Sequence, residues 1–224
     1  MLVWLGRCSR GGWAAVLVCL SRAVSWALES GVTHLTIIDV TIIDDSYSEV
    51  SMFVGRGQQL SQLGSFLERV RSEPGGKPGK ALLIRGRRRV GKSRLVEEFL
   101  DGAGVPYVYF AATGRSTRDE LRLCAQEVAA SNLPDAALFN GIELTSWDAA
   151  FRQLASALPD EGSVVVIDEV PYIIDADEHF EGTLQRAFDR ELSRKRGLLI
   201  GIGSDLSMME ALISYGRPFH QRAS

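Results

Sequence analysis

The stretch GRRRVGKS at positions 86–93 constrains this chain of 224 residues more than any other. It fits the pattern G-x-x-x-x-G-K-[ST], in which glycines let the backbone curl tightly and turn its N–H groups toward a bound anion. The apolar run Ala81–Ile84 before it predicts a buried strand. The segment Arg94–Leu100 after it has its apolar residues on one face, which predicts a helix ending at Asp101-Gly102. Strand, loop and helix in this order predict a nucleotide site.

The lysine and serine of such a loop have separate chemical tasks. Lys92 is predicted to place its positive charge on the β- and γ-phosphates, and the Ser93 hydroxyl to be a ligand of Mg²⁺. The N-terminal end of the following helix also favours an anion. We therefore predict Mg-ATP as the ligand. The expected nucleotide contacts in and after the loop are Gly86, Arg87, Arg88, Arg89, Val90, Gly91, Lys92, Ser93 and Arg94.

Two carboxylates follow the most apolar strand of the chain. The run Ser163–Ile167 predicts a strand buried on both faces, and Asp168 and Glu169 come at its end, where ligands bind in open parallel sheets. We predict that Asp168 holds Mg²⁺ together with Ser93 and that Glu169 is the general base for the attacking water. The alternative is that both carboxylates simply end a strand in solvent.

A further strand, predicted over Gly197–Ile202, ends in Gly203-Ser204-Asp205 at the same edge of the sheet. Ser204 is therefore predicted to sense the γ-phosphate or the attacking water through a hydrogen bond. A turn or helix cap is the alternative for this serine. A short helix is expected over Leu206–Ile213.

The remaining periodic segments complete an α/β pattern. They predict an amphipathic helix over 60–70, a strand over 105–111, and helices over 117–130 and 177–196. Thr117 with Glu120, and Thr145 with Asp148, fit the capping-box spacing at helix starts. A stripe at helical spacing is expected to belong to the core rather than to a binding surface: Trp147, Phe151, Leu154 and Leu158.

Composition limits the other function classes. Hydrophobic content of 46% and charged content of 24% are ordinary for a globular protein. A net charge of −3 gives no general attraction to nucleic acid or anionic membrane. The basic cluster Arg190–Arg196 is predicted to complement a helix end, with a nucleic-acid patch as the alternative. Scattered cysteines and histidines indicate neither a disulfide framework nor a zinc site, and a reducing cytoplasm is expected.

Residues 1–51 differ from the rest and are predicted to be an N-terminal extension, with the P-loop ATPase core over 52–224. The apolar run Gly12–Leu20 is too short to cross a bilayer, so no membrane span is expected. The β-rich segment Leu35–Ile43 predicts an edge strand or a hairpin arm. One hypothesis is that Met52 is the true start and that the residues before it come from an over-extended reading frame.

Four motifs in order resemble the archaeal and bacterial STAND-class ATPases among the AAA+-related P-loop NTPases. They are FVGR at 53–56, GRRRVGKS at 86–93, VVVIDEVPYIIDAD at 164–177 and GIGSDLSMMEALIS at 201–214. The resemblance covers about residues 52–224. It departs at Gly57, where the family usually has an acidic residue.

The resemblance implies a three-layered α/β P-loop NTPase fold with a central, mostly parallel sheet of the additional-strand type. The strand ending at Ser204 would lie between the phosphate-loop strand and the Asp168 strand. It also implies that four residues lie near the adenine and ribose: Phe53, Val54, Gly55 and Arg56. The chain ends where a fifth strand and a lid are expected, so the resemblance implies a C-terminally incomplete core.

These features together predict Mg-ATP binding with ATP hydrolysis. The first alternative is a nucleotide-operated switch with little turnover, acting through a protein partner or a second copy of the chain. A small-molecule kinase is a weaker alternative, because no acceptor-binding acid or Arg-rich lid is recognisable near the loop. A nucleic-acid-associated ATPase module rests on the basic cluster and on family analogy alone.

Overall fold

The computed structural model describes residues 35–39, 56–74 and 76–212, and the first of these ranges as backbone only. Within them, five strands form one parallel sheet in the order β1-β2-β5-β4-β3. The strands are β1 (Leu35–Asp39), β2 (Lys80–Arg85), β3 (Tyr107–Ala111), β4 (Ser163–Asp168) and β5 (Gly197–Gly203). The fold is thus the predicted α/β type with a parallel sheet.

Helices connect the strands, as parallel pairing requires. They are α1 (Gly57–Ser72), α2 (Lys92–Ala103), α3 (Thr117–Ala130), α4 (Trp147–Ala157), α5 (Val170–Ala176), α6 (Phe180–Arg190) and α7 (Leu206–Ala211). Two short 3₁₀ helices, Ala136–Phe139 and Leu192–Arg194, lie between them. Within the described ranges, no helix is both long enough and apolar enough to cross a membrane.

The strand order confirms the topology that the resemblance implied. Strand β5 pairs with both β2 and β4, so it separates the phosphate-loop strand from the strand that ends at Asp168. Arg85 lies beside Gly203, and Ala111 lies beside Asp168. Because all the strands are parallel, their carboxyl ends share one edge of the sheet.

Alternating side chains of the strands fill two apolar layers, one on each face of the sheet. On one face, Val164 and Val166 pack with residues of α1 and α2. On the other, Val165 and Ile167 pack with residues of α3, α4, α5 and α6. Every residue of β4 is buried, as its run of valines predicts. The result is a helix–sheet–helix architecture of three layers.

The second of these layers is centred on Trp147. Its ring lies 5.0 Å from Phe180, 5.8 Å from Phe151 and 6.0 Å from Phe110, measured between ring centroids. The predicted core assignment of the α4 stripe is confirmed, because Trp147, Phe151, Leu154 and Leu158 are all buried.

Replacing Trp147 with alanine is expected to lower the free energy of unfolding by about 3–5 kcal/mol, since it leaves a large cavity among three aromatic rings. Urea unfolding followed by circular dichroism measures this change. Leu138→Ala is the matched control, because Leu138 is 52% exposed. Equal stability losses for the two variants would contradict the central place of Trp147 in the core.

Two helix starts differ from the predicted capping boxes by one residue. The N-cap of α3 is Ser116, whose hydroxyl accepts the Asp119 N–H at 3.3 Å. The N-cap of α4 is Ser146, not Thr145, and it accepts the Ala149 N–H at 3.2 Å. Each of two adjacent hydroxyl residues can serve as an N-cap, so only the backbone geometry decides between them.

The continuous helix predicted over 177–196 is wrong. Asp177 has an extended backbone and its Oδ1 accepts the His179 N–H at 2.9 Å, so the chain turns there and α6 begins at Phe180. Helix α6 ends at Arg190, before the 3₁₀ turn. An aspartate that bonds to its own downstream backbone competes with a helix.

The predicted edge strand is present over Leu35–Asp39, as β1 beside β2; residues 40–43 lie outside the described ranges. It brings residues from before position 52 into the sheet. The boundary between extension and core stays a prediction.

Candidate nucleotide site

The phosphate loop joins β2 to α2 through two residues with a left-handed backbone. These are Arg89, with φ of 65°, and Gly91, with φ of 77°. Left-handed residues that alternate with right-handed ones turn successive N–H groups toward a common point and form a concave anion-binding nest. Gly91 is also the N-cap of α2, so the nest continues into the N-terminal end of that helix.

Lys92 is folded against this loop. Its Nζ donates to the Gly86 carbonyl at 2.8 Å and to the Arg87 carbonyl at 3.1 Å, and only 6% of the residue is exposed. Burial lowers the pKa of Lys92 and the nearby Arg88 charge adds to this, whereas Glu169 and Asp168 oppose it. The Lys92 ammonium therefore contacts the phosphate loop directly and also interacts with the charges of the Asp168 and Glu169 carboxylates.

Arg56 contacts the C-terminal part of the phosphate loop. Its guanidinium donates to the carbonyls of Val90 and Gly91, the latter at 3.4 Å. Burial lowers the pKa of this guanidinium. Arg56 thus contacts the predicted site through the loop, while Phe53, Val54 and Gly55 lie outside the described residues.

Asp168, at the end of β4, faces the start of α2. Its Oδ2 accepts the Ser93 hydroxyl at 2.6 Å and the Tyr109 hydroxyl, also at 2.6 Å. Burial, and then the adjacent carboxylate, raise the pKa of Tyr109, so its hydroxyl remains a proton donor. The two residues predicted as Mg²⁺ ligands are therefore direct neighbours.

Glu169 occupies an unusual backbone position between β4 and α5. Its φ of 54° places it in the left-handed region, which is uncommon for a residue with a side chain. Its N–H donates to Asp168 Oδ1 at 2.8 Å, and its Oε2 accepts the Ser204 hydroxyl at 2.8 Å. This backbone turn directs the two consecutive carboxylates to different partners.

Arg88 connects the loop to both neighbouring elements. Its Nε donates to Ser204 Oγ at 3.4 Å, and its Nη2 donates to the Tyr172 hydroxyl. The guanidinium carbon also lies 5.7 Å from the centroid of the Tyr172 ring. Both of these hydrogen-bond partners are neutral hydroxyls.

Several of the site residues line a pocket of about 390 Å³. It is lined by Arg88, Arg89, Gly91, Lys92, Ser93, Arg94, Glu169 and Tyr172. This volume lies within the range of about 300–1,000 Å³ for small-molecule sites. Arg94 also forms ion pairs with Glu97 and Glu98 on the outer face of α2.

The structure thus brings together, at one edge of the sheet, the residues predicted within 86–94, 168–169 and 204. Two neighbours, Tyr109 and Tyr172, were not predicted as part of it. Tyr172 lies within the motif at 164–177, but only the fold shows that its ring faces the loop. Tyr109 lies on the neighbouring strand β3, and nothing local in the sequence points to its contact with Asp168.

The donor set around Ser93 fits a magnesium ion. A hydroxyl and a carboxylate are oxygen ligands, and Mg²⁺ in nucleotide sites is held by one or two such groups together with substrate phosphates. Among the described residues, no group of three His, Cys, Asp or Glu side chains forms a metal cage of its own.

The loop after β3 is fixed by a buried carboxylate close to this site. Glu120 is 0% exposed and accepts from the Thr113 N–H at 3.0 Å, the Thr113 hydroxyl at 2.7 Å and the Arg115 N–H at 2.8 Å. Glu120 was predicted to act as the acid of a capping box; instead, its carboxylate holds the loop after β3. The Tyr172 side chain lies against Gly114 of the same loop.

The basic cluster Arg190–Arg196 lies away from the pocket, at the edge where β5 begins. Lys195 pairs with Asp160 at 3.2 Å, and Arg196 donates to the Arg71 carbonyl. These contacts give Lys195 and Arg196 partners within the protein, which favours a structural role over a nucleic-acid patch for those two residues.

Comparison with solved structures identifies the fold. A Walker-type ATPase of Pyrococcus abyssi matches 76% of this chain and 51% of its own, with a TM-score of 0.51 and 21% identity. A structure of Drosophila ORC bound to DNA matches 67% of this chain and 38% of its own, with a TM-score of 0.51 and 18% identity. The chain has the α/β fold of a P-loop NTPase, as these structures do.

This P-loop protein spans about half the length of the first of these structures and less of the second. Cdc6p from Pyrobaculum aerophilum also matches, with 21% identity over 77% of this chain and 46% of its own, at a TM-score of 0.46. No protein-family model and no curated protein matches the sequence.

Proposed function

We propose that this P-loop domain binds Mg-ATP and hydrolyses it, as a STAND-like member of the AAA+-related ATPases. The observation that carries the proposal is the direct contact of Ser93 with Asp168 beside Lys92. A hydroxyl, a carboxylate and an ammonium grouped at a phosphate loop suit a metal-bound triphosphate. Glu169, next in the chain, adds a second carboxylate, which accepts the Ser204 hydroxyl and is proposed to act on water.

Each side chain has a task in this proposal. Lys92 leaves the loop carbonyls and neutralises charge on the β- and γ-phosphates, while the loop N–H groups hold the phosphate oxygens. Ser93 and Asp168 hold Mg²⁺, which supplies charge neutralisation when bound. Glu169 accepts a proton from the attacking water, and Ser204 orients that carboxylate through their hydrogen bond.

Calorimetric titration of the full chain with ATP and Mg²⁺, followed by a phosphate-release assay, tests the proposal. Saturable ATP binding together with phosphate release supports it. Binding without release supports the switch described below. A folded chain that binds no nucleotide rules out both.

The switch is a second candidate because Arg88 links the phosphate loop to α5 through Tyr172. A guanidinium is a preferred ligand of phosphate. If ATP draws Arg88 away from Tyr172 and Ser204, binding alone changes contacts at α5. The Drosophila ORC structure contains DNA, and a nucleic acid or protein partner for this chain stays a proposal of the same kind.

Ser204→Ala tests whether this hydroxyl orients the Glu169 carboxylate. Losing one hydrogen bond to a charged group, about 1.5 kcal/mol, is expected to slow phosphate release roughly 10-fold while ATP affinity is kept. Single-turnover phosphate release measures the effect. Ser156→Ala is the control, since that hydroxyl donates to the Gln153 carbonyl on α4 at 2.6 Å. An unchanged rate in Ser204→Ala would remove Ser204 from the mechanism.

A further inference from the structure

We infer that Tyr109 is a positioning residue for the metal site: its hydroxyl fixes the orientation in which Asp168 and Ser93 together receive Mg²⁺. The inference rests on the proposed function and adds a residue to it. It comes from strand β3, which supplies none of the residues of the predicted site.

Three donors hold the Asp168 carboxylate. Tyr109 and Ser93 share Oδ2, each at 2.6 Å, and the Glu169 N–H occupies Oδ1 at 2.8 Å. The terminal torsion of an aspartate has a broad minimum, so the carboxylate orientation depends on its hydrogen bonds. Outer partners of this kind commonly orient metal-binding carboxylates.

The register of the sheet explains how Tyr109 reaches this carboxylate. Ala111 is the direct neighbour of Asp168, and Tyr109 is paired with Val166, two residues earlier. Two residues advance a strand by about 6.6 Å, a distance that a tyrosine side chain leaning along the strand can cover. Its ring meanwhile packs on the apolar layer beneath α2.

The hydroxyl is the specific part of this side chain. Phenylalanine would preserve the ring and its packing, but it would leave Asp168 Oδ2 with Ser93 alone. A purely structural tyrosine predicts a loss of stability without any change in metal dependence. A positioning tyrosine predicts a weaker contribution of Mg²⁺ to ATP binding.

Tyr109→Phe separates these two possibilities in the full chain. Calorimetry with ATP is performed in the presence of Mg²⁺ and again in EDTA, and thermal unfolding without ligand checks the fold. We expect ATP affinity in EDTA to stay unchanged and the enhancement by Mg²⁺ to fall roughly 10-fold. Tyr107→Phe is the matched control, because Tyr107 lies on the same strand face but is paired with Val164.

A double-mutant cycle with Asp168→Asn shows whether Tyr109 acts through Asp168. If it does, adding Tyr109→Phe to Asp168→Asn causes little further loss of the Mg²⁺ effect, because residues in one network are not additive. An equal Mg²⁺ effect in wild type and Tyr109→Phe overturns the inference while the proposed function stands. Wild type that binds ATP equally with and without Mg²⁺ overturns the inference as well. Wild type that binds no ATP overturns both.

Discussion

Replacing Lys92 with alanine is expected to weaken ATP binding by roughly 100-fold, which corresponds to about 2.7 kcal/mol. Hydrogen bonds that involve a charged group contribute about 1.5–3 kcal/mol each, and Lys92 is proposed to contact two phosphates. Its two present acceptors are carbonyls of the loop itself, so the ammonium can move to the phosphates with little rearrangement. Calorimetric titration with Mg-ATP measures the loss.

The control for this variant has to remove a lysine without touching the loop. Lys195→Ala serves this purpose, because Lys195 pairs with Asp160 at the opposite edge of the sheet. Urea unfolding of both variants establishes that they are folded. ATP binding by Lys92→Ala at wild-type strength would mean that the phosphate loop is not the nucleotide site.

The sequence was sufficient for the parts of this site that depend on local patterns. Strand β2, the loop and α2 follow one another in the chain, so spacing and hydrophobic periodicity predict them together. The buried run of β4 likewise predicts where Asp168 and Glu169 emerge, and the end of β5 predicts Ser204. The edge that these strands share follows from parallel pairing.

Contacts between distant segments could not be predicted in this way. The Tyr109–Asp168 hydrogen bond joins residues 59 positions apart and depends on the pairing of β3 with β4 and on its register. Nothing in the strand pattern distinguishes Tyr109 from Tyr107. The same holds for Arg88 and Tyr172, whose contact depends on the path of α5 after Glu169.

Element ends were the least predictable features because several residues give the same signal. Helix α2 continues through Gly102 to Ala103, and the next residue, Gly104, provides the left-handed cap with a φ of 62°. Both glycines are compatible with a helix end, and of the two only Gly104 has the left-handed backbone. Ser116 and Thr117 present the same ambiguity at the start of α3.

Glu169→Gln is expected to slow ATP hydrolysis about 10²–10⁴-fold while ATP affinity is kept, since general-base catalysis contributes that much. Glutamine has the same shape, and its amide oxygen can still accept the Ser204 hydroxyl. The variant therefore removes proton acceptance with little other change, and multiple-turnover phosphate release measures the rate.

Glu143→Gln is the matched control for Glu169→Gln. Glu143 is an exposed glutamate paired with Arg118 on the α3 side of the domain, so its loss should leave hydrolysis unchanged. Normal ATP binding with lost hydrolysis in Glu169→Gln alone would assign the general base. Unchanged hydrolysis in both variants would mean that Glu169 does not activate water. Its contacts with Ser204 and Asp168 would then serve only to hold the edge of the site.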